Sequence, residues 1–185
     1  MKCRYQKEEK LIAHYNKNVN YYSTNIDEIL AHIGYDDLNN VSSAMDLGCG
    51  DGRACFLMAK KASEDTKIVG VDYSAPRIEK ANRKNTHENV SFVCEDIHQY
   101  LDNLIEKGET FDLVVANEVI EHLENPREVL DKLQNISKWI VGTVPINLPY
   151  IAHLSVWPKV SDIKKTFPDF FLSKMGGHCV IEWRS

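Results

Sequence analysis

Five short apolar segments recur along the chain, with amphipathic helical patterns between them. Several are apolar at consecutive positions, which is typical of strands buried on both faces of a parallel sheet. The segments are Ser43–Leu47, Ile68–Val71, Val90–Cys94, Phe111–Ala116 and Trp139–Val144. Repeated strand–helix alternation with short connections predicts an α/β fold, a doubly wound, mostly parallel sheet flanked by helices.

Several of the intervening helical patterns have recognisable ends. Thr24 is a candidate N-cap for a first helix that places its apolar residues on one stripe and ends at Gly34. Gly108 closes a later helix, and Asn125 precedes the proline of another. These local signals support the predicted alternation.

The pattern is weaker after the fifth segment. Prolines interrupt an apolar loop, Ile146–Trp157, which is followed by a short predicted helix near Ser161–Phe167 and a candidate sixth strand at Cys179–Trp183. Because only two residues follow that strand, we expect the sheet to lack its final C-terminal strand. An uncovered edge would favour a homodimer or a partner protein at that place.

Length and composition indicate one domain over residues 1–185. The chain is 43% hydrophobic and 26% charged, with no low-complexity linker. No apolar run approaches the ~20 residues of a membrane helix, and the first ten residues lack the apolar core of a secretory signal. Its five cysteines form no CxxC pair, which is typical of reduced thiols. We therefore expect a cytoplasmic protein without a membrane segment.

The charge balance argues against nucleic acid as a partner. The formal net charge is −5, whereas phosphate neutralisation needs a surplus of Lys and Arg on some face. One basic stripe exists at helical spacing, made by Arg77, Lys80, Arg83 and Lys84. We interpret it as a solvated helix face, so nucleic acid is disfavoured without being excluded.

A glycine-rich turn follows the first predicted strand. Residues 45–53 read MDLGCGDGR, with glycines at alternate positions between a strand and a helix. The dinucleotide fingerprint requires a third glycine where this chain has Arg53, so that match fails. Asp46 and Asp51 would place negative charge beside a pyrophosphate. A cationic nucleoside without phosphate, such as S-adenosylmethionine, suits this turn better.

This turn closely resembles the first motif of class I S-adenosylmethionine-dependent methyltransferases. The resemblance implies that the loop holds the methionine and ribose parts of the cofactor. The implied cofactor-binding positions are Asp46, Gly48, Cys49, Gly50 and Gly52. Taken alone, the turn could also be a purely structural one.

Acidic residues end the next two predicted strands. Asp72 is placed to accept hydrogen bonds from both ribose hydroxyls, and Tyr73 to pack against the adenine. The family resemblance implies that Asp96 accepts from the adenine amino group and that the Ile97 amide touches the ring. Either aspartate could alternatively cap the helix that follows it.

The fourth predicted strand runs into a stretch that resembles the family's fourth motif. Residues 111–126 read FDLVVANEVIEHLENP, which implies that Asn117 and the Val119 backbone lie near the methionine part. His122 is the first candidate for a catalytic base, but a histidine that packs under the cofactor and braces the loop is the favoured explanation. The whole resemblance spans about residues 43–145.

The resemblance implies methyl transfer governed by alignment of donor and acceptor. We expect a small-molecule acceptor and a pocket built from residues 145–185, above all from the aromatic-bearing loop with Tyr150, His153 and Trp157. Residues 1–40 are expected to form a helical lid. Packing of the loop on the sheet and of the first helix on the domain are the structural alternatives.

Two rival interpretations remain open from the sequence. If their segment is helical, Glu118, Glu121 and His122 share one face and, with a remote fourth ligand at His178, could bind a divalent metal. This set resembles metal-dependent methyltransferases that modify the 2′-hydroxyl at the 3′ end of small RNAs. The other rival is a catalytically silent subunit that binds the cofactor for a partner.

Overall fold

The computed structural model describes residues 27–33 and 35–185. Within them the helices are α1 (27–33), α2 (Tyr35–Asn39), α3 (Arg53–Ala59), α4 (Ala75–Lys84), α5 (Ile97–Lys107), α6 (Pro126–Ile136) and α7 (Val160–Thr166). The strands are β1 (Ser43–Leu47), β2 (Lys67–Asp72), β3 (Val90–Cys94), β4 (Phe111–Asn117), β5 (Ser137–Pro145), β6 (Phe171–Met175) and β7 (His178–Arg184). A single 3-10 turn, Ile120–His122, follows β4.

The strands form one sheet in the order β3-β2-β1-β4-β5-β7-β6. The first five are parallel, and β7 runs antiparallel to both β5 and β6. In the sheet, β2 and β3 lie on one side of β1, and β4 and β5 lie on the other side. The strand order therefore reverses between β1 and β4. The predicted doubly wound, mostly parallel sheet is confirmed.

The expectation of a missing final strand is wrong. Cys179–Trp183 forms the centre of β7, as predicted, but the other strand of its hairpin precedes it in the chain as β6. The sheet therefore carries a complete antiparallel hairpin. The argument for a partner at an edge left open by a missing strand has lost its basis, and a homodimer remains only a prediction.

Two apolar layers cover the sheet. One face packs against α5, α6 and α7, and its fully buried side chains include Leu101, Leu133 and Phe167. The other face packs against the helices before β1 and against α3 and α4, with Ile29 and Met58 fully buried. Burial on both faces explains the consecutive apolar residues of the central strands.

The helix ends follow the local signals within the described residues. Gly108 adopts φ 66° at the end of α5, and Asn125 adopts φ 51° just before Pro126 opens α6. The predicted cap at Thr24 and stop at Gly34 lie outside the described residues, as does most of the expected lid at 1–40. In residues 27–33 and 35–185 we find no helix whose length and apolar character would let it cross a membrane.

Candidate functional site

The turn between β1 and α3 contains three glycines in the left-handed region of backbone space. Gly48, Gly50 and Gly52 have φ values of 72°, 55° and 85°. Other residues adopt this region only with strain, whereas glycine enters it freely. The backbone turns sharply at the carboxyl end of β1, and this turn requires glycine at alternate positions.

The turn is hydrogen-bonded to the end of β2. The amides of Gly48 and Cys49 donate to the Val71 carbonyl at 2.8 and 2.9 Å. The Gly50 amide donates to the Asp72 carboxylate at 2.9 Å. These bonds hold the turn in one conformation beside the tip of the neighbouring strand.

Asp72 is buried and holds two backbone amides at once. One carboxylate oxygen accepts from Gly50, and the other accepts from the Ser74 amide at 2.9 Å. Ser74 occupies the N-cap position of α4, so Asp72 itself is not the cap residue. The carboxylate therefore fixes both the glycine turn and the start of α4, and it lies where the sequence placed a ribose acceptor.

Side chains pack closely beneath the turn. A Cβ atom added to Gly48 would lie 2.5 Å from a Val119 methyl carbon, and one added to Gly52 would lie 2.6 Å from the Phe92 ring. Neither distance is compatible with van der Waals contact. The site thus requires glycine at these positions for space as well as for backbone angle.

The turn carries less net negative charge than the sequence suggested. Asp51 pairs with Lys84 at 2.7 Å and with Lys80 at 2.9 Å. Asp46 is buried, and burial raises its pKa to about 7. The negative charge expected from the sequence is therefore balanced by lysines at Asp51 and reduced by burial at Asp46.

The raised pKa of Asp46 predicts a pH-dependent stability. The unfolded carboxyl titrates near 3.8 and the folded one near 7, so between these values only the folded state keeps its proton. Stability is consequently lost as pH rises from about 4 to 7 and stays low above that range. We expect Asp46→Asn to remove this loss and to be more stable than wild type at pH 8 by on the order of 3 kcal/mol.

Urea denaturation of both proteins at pH 4 and pH 8 measures this effect. Asp65→Asn, measured in parallel at both pH values, is the control for the same substitution at an exposed position. An Asp46→Asn protein with the pH dependence of wild type would contradict the assignment.

The predicted adenine contacts lie at the tips of β2 and β3. Tyr73 is 58% exposed and follows β2 directly. Asp96 caps α5, where one carboxylate oxygen accepts from the His98 and Gln99 amides at 3.0 and 3.4 Å. Both bonds use the same carboxylate oxygen of Asp96, so the second oxygen is compatible with adenine recognition. Ile97 is buried as the first residue of α5.

The tip of β4 lies beside the glycine turn. The Asn117 side-chain oxygen accepts from the Thr143 hydroxyl at 2.7 Å, which joins β4 to β5. The next residue, Glu118, adopts φ 51°, an uncommon backbone conformation for a residue other than glycine. Val119 then packs against Gly48. The structure thus brings the predicted methionine-side residues to the turn.

Among the described residues, the ligand atoms that converge belong to Glu121 and His122 of the sequence-based metal set, without Glu118 or His178. Glu118 precedes the 3-10 turn and lies on no helix, so the predicted common helix face is wrong. His178, on β7, instead pairs with Glu118 at 3.2 Å, and this contact raises the pKa of the imidazole. Glu118 has a left-handed backbone conformation, and the 3-10 turn begins only after it, at Ile120.

A different group converges on Glu121. His122 and His153 place their Nε2 atoms 3.8 and 3.9 Å from one Glu121 carboxylate oxygen. Their rings meet edge to face at 4.8 Å between centroids. Burial and the Glu118 carboxylate raise the pKa of Glu121, while burial lowers that of His122. Sequence reasoning assigned His153 to the acceptor loop and missed this pairing, because the two segments meet only in the folded chain.

The loop after β5 divides into a buried part and an exposed part. Trp157 is buried, donates to Thr166 at 3.0 Å and packs on Phe167, so it belongs to the core. Leu148, Ile151, Leu154 and Val156 are instead exposed. Of these four, Leu154 lines an open cleft of ≈ 480 Å³, together with residues 123–126 and Ser155. The predicted aromatic pocket therefore lacks Trp157.

The basic stripe on α4 is largely paired. Lys80 and Lys84 bind Asp51, and Arg83 pairs with Glu79 at 3.2 Å. Arg77 instead points toward the turn, since a Cβ atom on Gly50 would lie 3.5 Å from its guanidinium. These contacts support the interpretation of the stripe as a solvated helix face.

Two curated relatives share recognisable sequence with the chain. Arsenite methyltransferase of Homo sapiens is 29% identical over 102 residues, covering 51% of this chain and 27% of that protein. Ubiquinone biosynthesis O-methyltransferase of Chelativorans sp. (strain BNC1) is 27% identical over 161 residues, covering 85% of this chain and 56% of that protein. The chain thus spans between about a quarter and just over half of these relatives.

Solved structures share the fold. Magnesium protoporphyrin IX methyltransferase (ChlM) from Synechocystis PCC 6803 with bound SAH has a TM-score of 0.66 at 17% identity, over 89% of this chain and 83% of that one. The plantazolicin methyltransferase BpumL in complex with SAH has a TM-score of 0.67 at 18% identity, over 90% and 73%. At such identities the likeness establishes the architecture.

The family is established by a sequence model. The model described as "Methyltransferase domain" matches residues 38–148, which include every strand from β1 to β5 and the glycine turn. The matched segment exceeds half of the chain and contains the site described above. The chain therefore belongs to the methyltransferase domain family.

Proposed function

We propose that this chain transfers a methyl group from S-adenosylmethionine to a small, partly apolar acceptor. Family membership supports the reaction class, and solved relatives of the same fold are named as complexes with SAH. The observation that carries the proposal is the buried Asp72 carboxylate, which holds the Gly50 amide in a left-handed turn. Such a carboxylate at the tip of β2 suits the hydroxyls of a ribose.

The position of the turn in the sheet supports a nucleoside ligand. In open α/β sheets, ligands bind outside the carboxyl ends of the strands where the strand order reverses. Here that point lies between β1 and β4, which are hydrogen-bonded neighbours. The glycine turn follows β1, and the Asn117–Val119 segment follows β4, so both border the same crevice.

The residues around the crevice fit this cofactor. Glycines allow the main chain to follow this turn, and Asp96 offers an acceptor at the tip of β3. We assign cofactor binding to the residues singled out in the sequence: Asp46, Gly48, Cys49, Gly50, Gly52, Asp72, Tyr73, Asp96, Ile97, Asn117 and Val119.

Alignment is the main contribution we assign to the protein. The bound cofactor supplies a methyl group already activated by a sulfonium charge. Correct orientation of two reactants can account for ~7–11 kcal/mol of barrier lowering. A base is needed only when the acceptor must lose a proton early. The catalytic role of His122 therefore stays a prediction.

The acceptor side is proposed to be residues 145–185. The loop after β5 exposes Leu148, Ile151, Leu154 and Val156, and Leu154 also lines the open cleft. Exposed apolar side chains grouped on one loop are typical of a binding surface. They favour an acceptor with an apolar part, and the paired basic stripe gives no separate support for an RNA acceptor.

Calorimetric titration with SAH tests the cofactor assignment directly. We expect one SAH per chain, and no heat from NAD at the same concentrations. Saturable binding of NAD with none of SAH would overturn the proposal.

Turnover separates an enzyme from a silent cofactor-binding subunit. Incubation with radiolabelled S-adenosylmethionine and a metabolite extract should transfer label to a small-molecule fraction. Tight SAH binding without transfer to any acceptor pool would favour the silent subunit and contradict the proposed activity.

A further inference from the structure

Three hydrogen-bond acceptors converge at one buried point beside the 3-10 turn. The Nδ1 atom of His122 lies 3.0 Å from the Ala152 carbonyl, and that of His153 lies 2.8 Å from the Leu148 carbonyl. A carbonyl can only accept, so each Nδ1 carries the proton of a neutral imidazole. Both Nε2 atoms then present lone pairs, and both face Glu121.

Glu121 adds a third acceptor without a compensating donor. Its side chain is 1% exposed, and among the described residues neither carboxylate oxygen has a hydrogen-bond partner. One ligand atom from each of the three residues lies within 4.8 Å of the others. A buried carboxyl group facing two lone pairs is costly unless it keeps its own proton or a cation lies between the three groups.

We propose that Glu121, His122 and His153 bind one divalent transition-metal ion, with zinc as the reference ion. Two imidazoles and one carboxylate form a ligand set of catalytic zinc sites, in which a fourth position stays open to water. Histidine ligands also characteristically donate their other ring N–H to a carbonyl or carboxylate, as both do here.

The ligand atoms lie farther apart than in a zinc site. Zinc bonds of roughly 2.0–2.2 Å place tetrahedral ligand atoms about 3.4 Å apart. The two observed carboxylate-to-imidazole separations are 3.8 and 3.9 Å. The ligand atoms of all three residues lie within 4.8 Å of one another, so side-chain rotation must bring them closer when the ion binds. His122 is 34% exposed, which provides a route for the ion.

The site joins two segments distant in sequence. Glu121 and His122 lie on the turn after β4, whereas His153 lies in the loop after β5. The two segments are already joined, because the Leu154 and Ser155 amides donate to the Glu121 carbonyl. This ligand set differs from that predicted from sequence, because His178 is engaged with Glu118. It includes His122, the candidate base, but none of the proposed cofactor contacts, so metal binding can be measured without the proposed reaction.

Titration of the chelator-treated full chain with Co²⁺ and Zn²⁺ tests the proposal. We expect one ion per chain, a visible Co²⁺ spectrum typical of nitrogen and oxygen ligands, and displacement of Co²⁺ by Zn²⁺. Glu121→Gln and His153→Gln should each weaken Zn²⁺ binding by about 100-fold or more, since each removes a direct ligand.

Matched histidine variants identify the ligand set. His178→Gln and the α5 variant His98→Gln should bind Zn²⁺ as wild type does, and circular dichroism with thermal melting verifies that every variant is folded. Should a variant fail to fold, the Co²⁺ spectrum of wild type still decides whether imidazole ligands are present. Absence of binding by wild type would overturn the site, as would loss of binding in folded His178→Gln with retention in His153→Gln.

Discussion

Replacing Asp72 with alanine is expected to weaken SAH binding at least tenfold. The carboxylate is buried and holds the Gly50 and Ser74 amides, so its loss frees the turn and removes the proposed acceptor for the ribose hydroxyls. Hydrogen bonds to a charged group contribute roughly 1.5–3 kcal/mol each, and more than one is lost here. Calorimetric titration of SAH into wild type and Asp72→Ala measures the change.

Stability must be separated from affinity in this comparison. Asp72→Ala also leaves two amides without their acceptor, so we expect a lower melting temperature, and titrations belong at a temperature where the variant is folded. Asp65→Ala removes an exposed aspartate seven positions earlier and should bind SAH as wild type does. A folded Asp72→Ala protein with unchanged affinity would contradict the cofactor assignment.

Replacing Gly48 with alanine is expected to destabilise the fold by about 2–4 kcal/mol and to abolish measurable SAH binding. The new methyl group would lie 2.5 Å from Val119, and the residue would keep a positive φ that costs alanine about 1–2 kcal/mol. Urea denaturation gives the stability change. Calorimetry gives the loss of affinity.

Two further variants separate strain from steric conflict. Gly108 also has a positive φ, but a Cβ atom there meets nothing within 4 Å, so Gly108→Ala should cost only about 1–2 kcal/mol. The double variant Gly48→Ala/Val119→Ala removes the conflicting methyl groups and should be less destabilised than the sum of its single variants. Equal costs for Gly48→Ala and Gly108→Ala would show that packing against Val119 is unimportant.

The central strands were predictable because their burial is symmetrical. Helices cover both faces of β1, β2, β4 and β5, so nearly every position must be apolar, and a short continuous run marks each strand. Segments 43–47 and 90–94 coincide with the observed strands, and the others differ by one or two residues at their ends. The glycines of the turn were equally visible, because their backbone angles restrict the residue type locally.

The edge strand β6 left no comparable pattern. Its residues Phe171–Met175 are mostly exposed, and Phe171 itself is 78% exposed. A strand with one hydrogen-bonded neighbour and little burial needs neither a continuous apolar run nor strict alternation. Its position depends on pairing with β7, so only the folded hairpin identifies it.

Charge at the site was also decided by the fold. The sequence contains Asp46 and Asp51 as formal negative charges, but it does not specify that one is buried and the other paired with two lysines from α4. Likewise, Glu121 and His153 are 32 positions apart, and their contact depends on the path of the loop after β5.

The sequence by itself determined the parallel core, the turn at 48–52 and the acids at the strand tips, because each depends on the burial or backbone angle of its own residues. Tertiary structure decided the β6–β7 hairpin, the partners of the carboxylates and the grouping of Glu121 with two histidines. Those features depend on distances between segments that are remote along the chain, and local patterns carry no information on such distances.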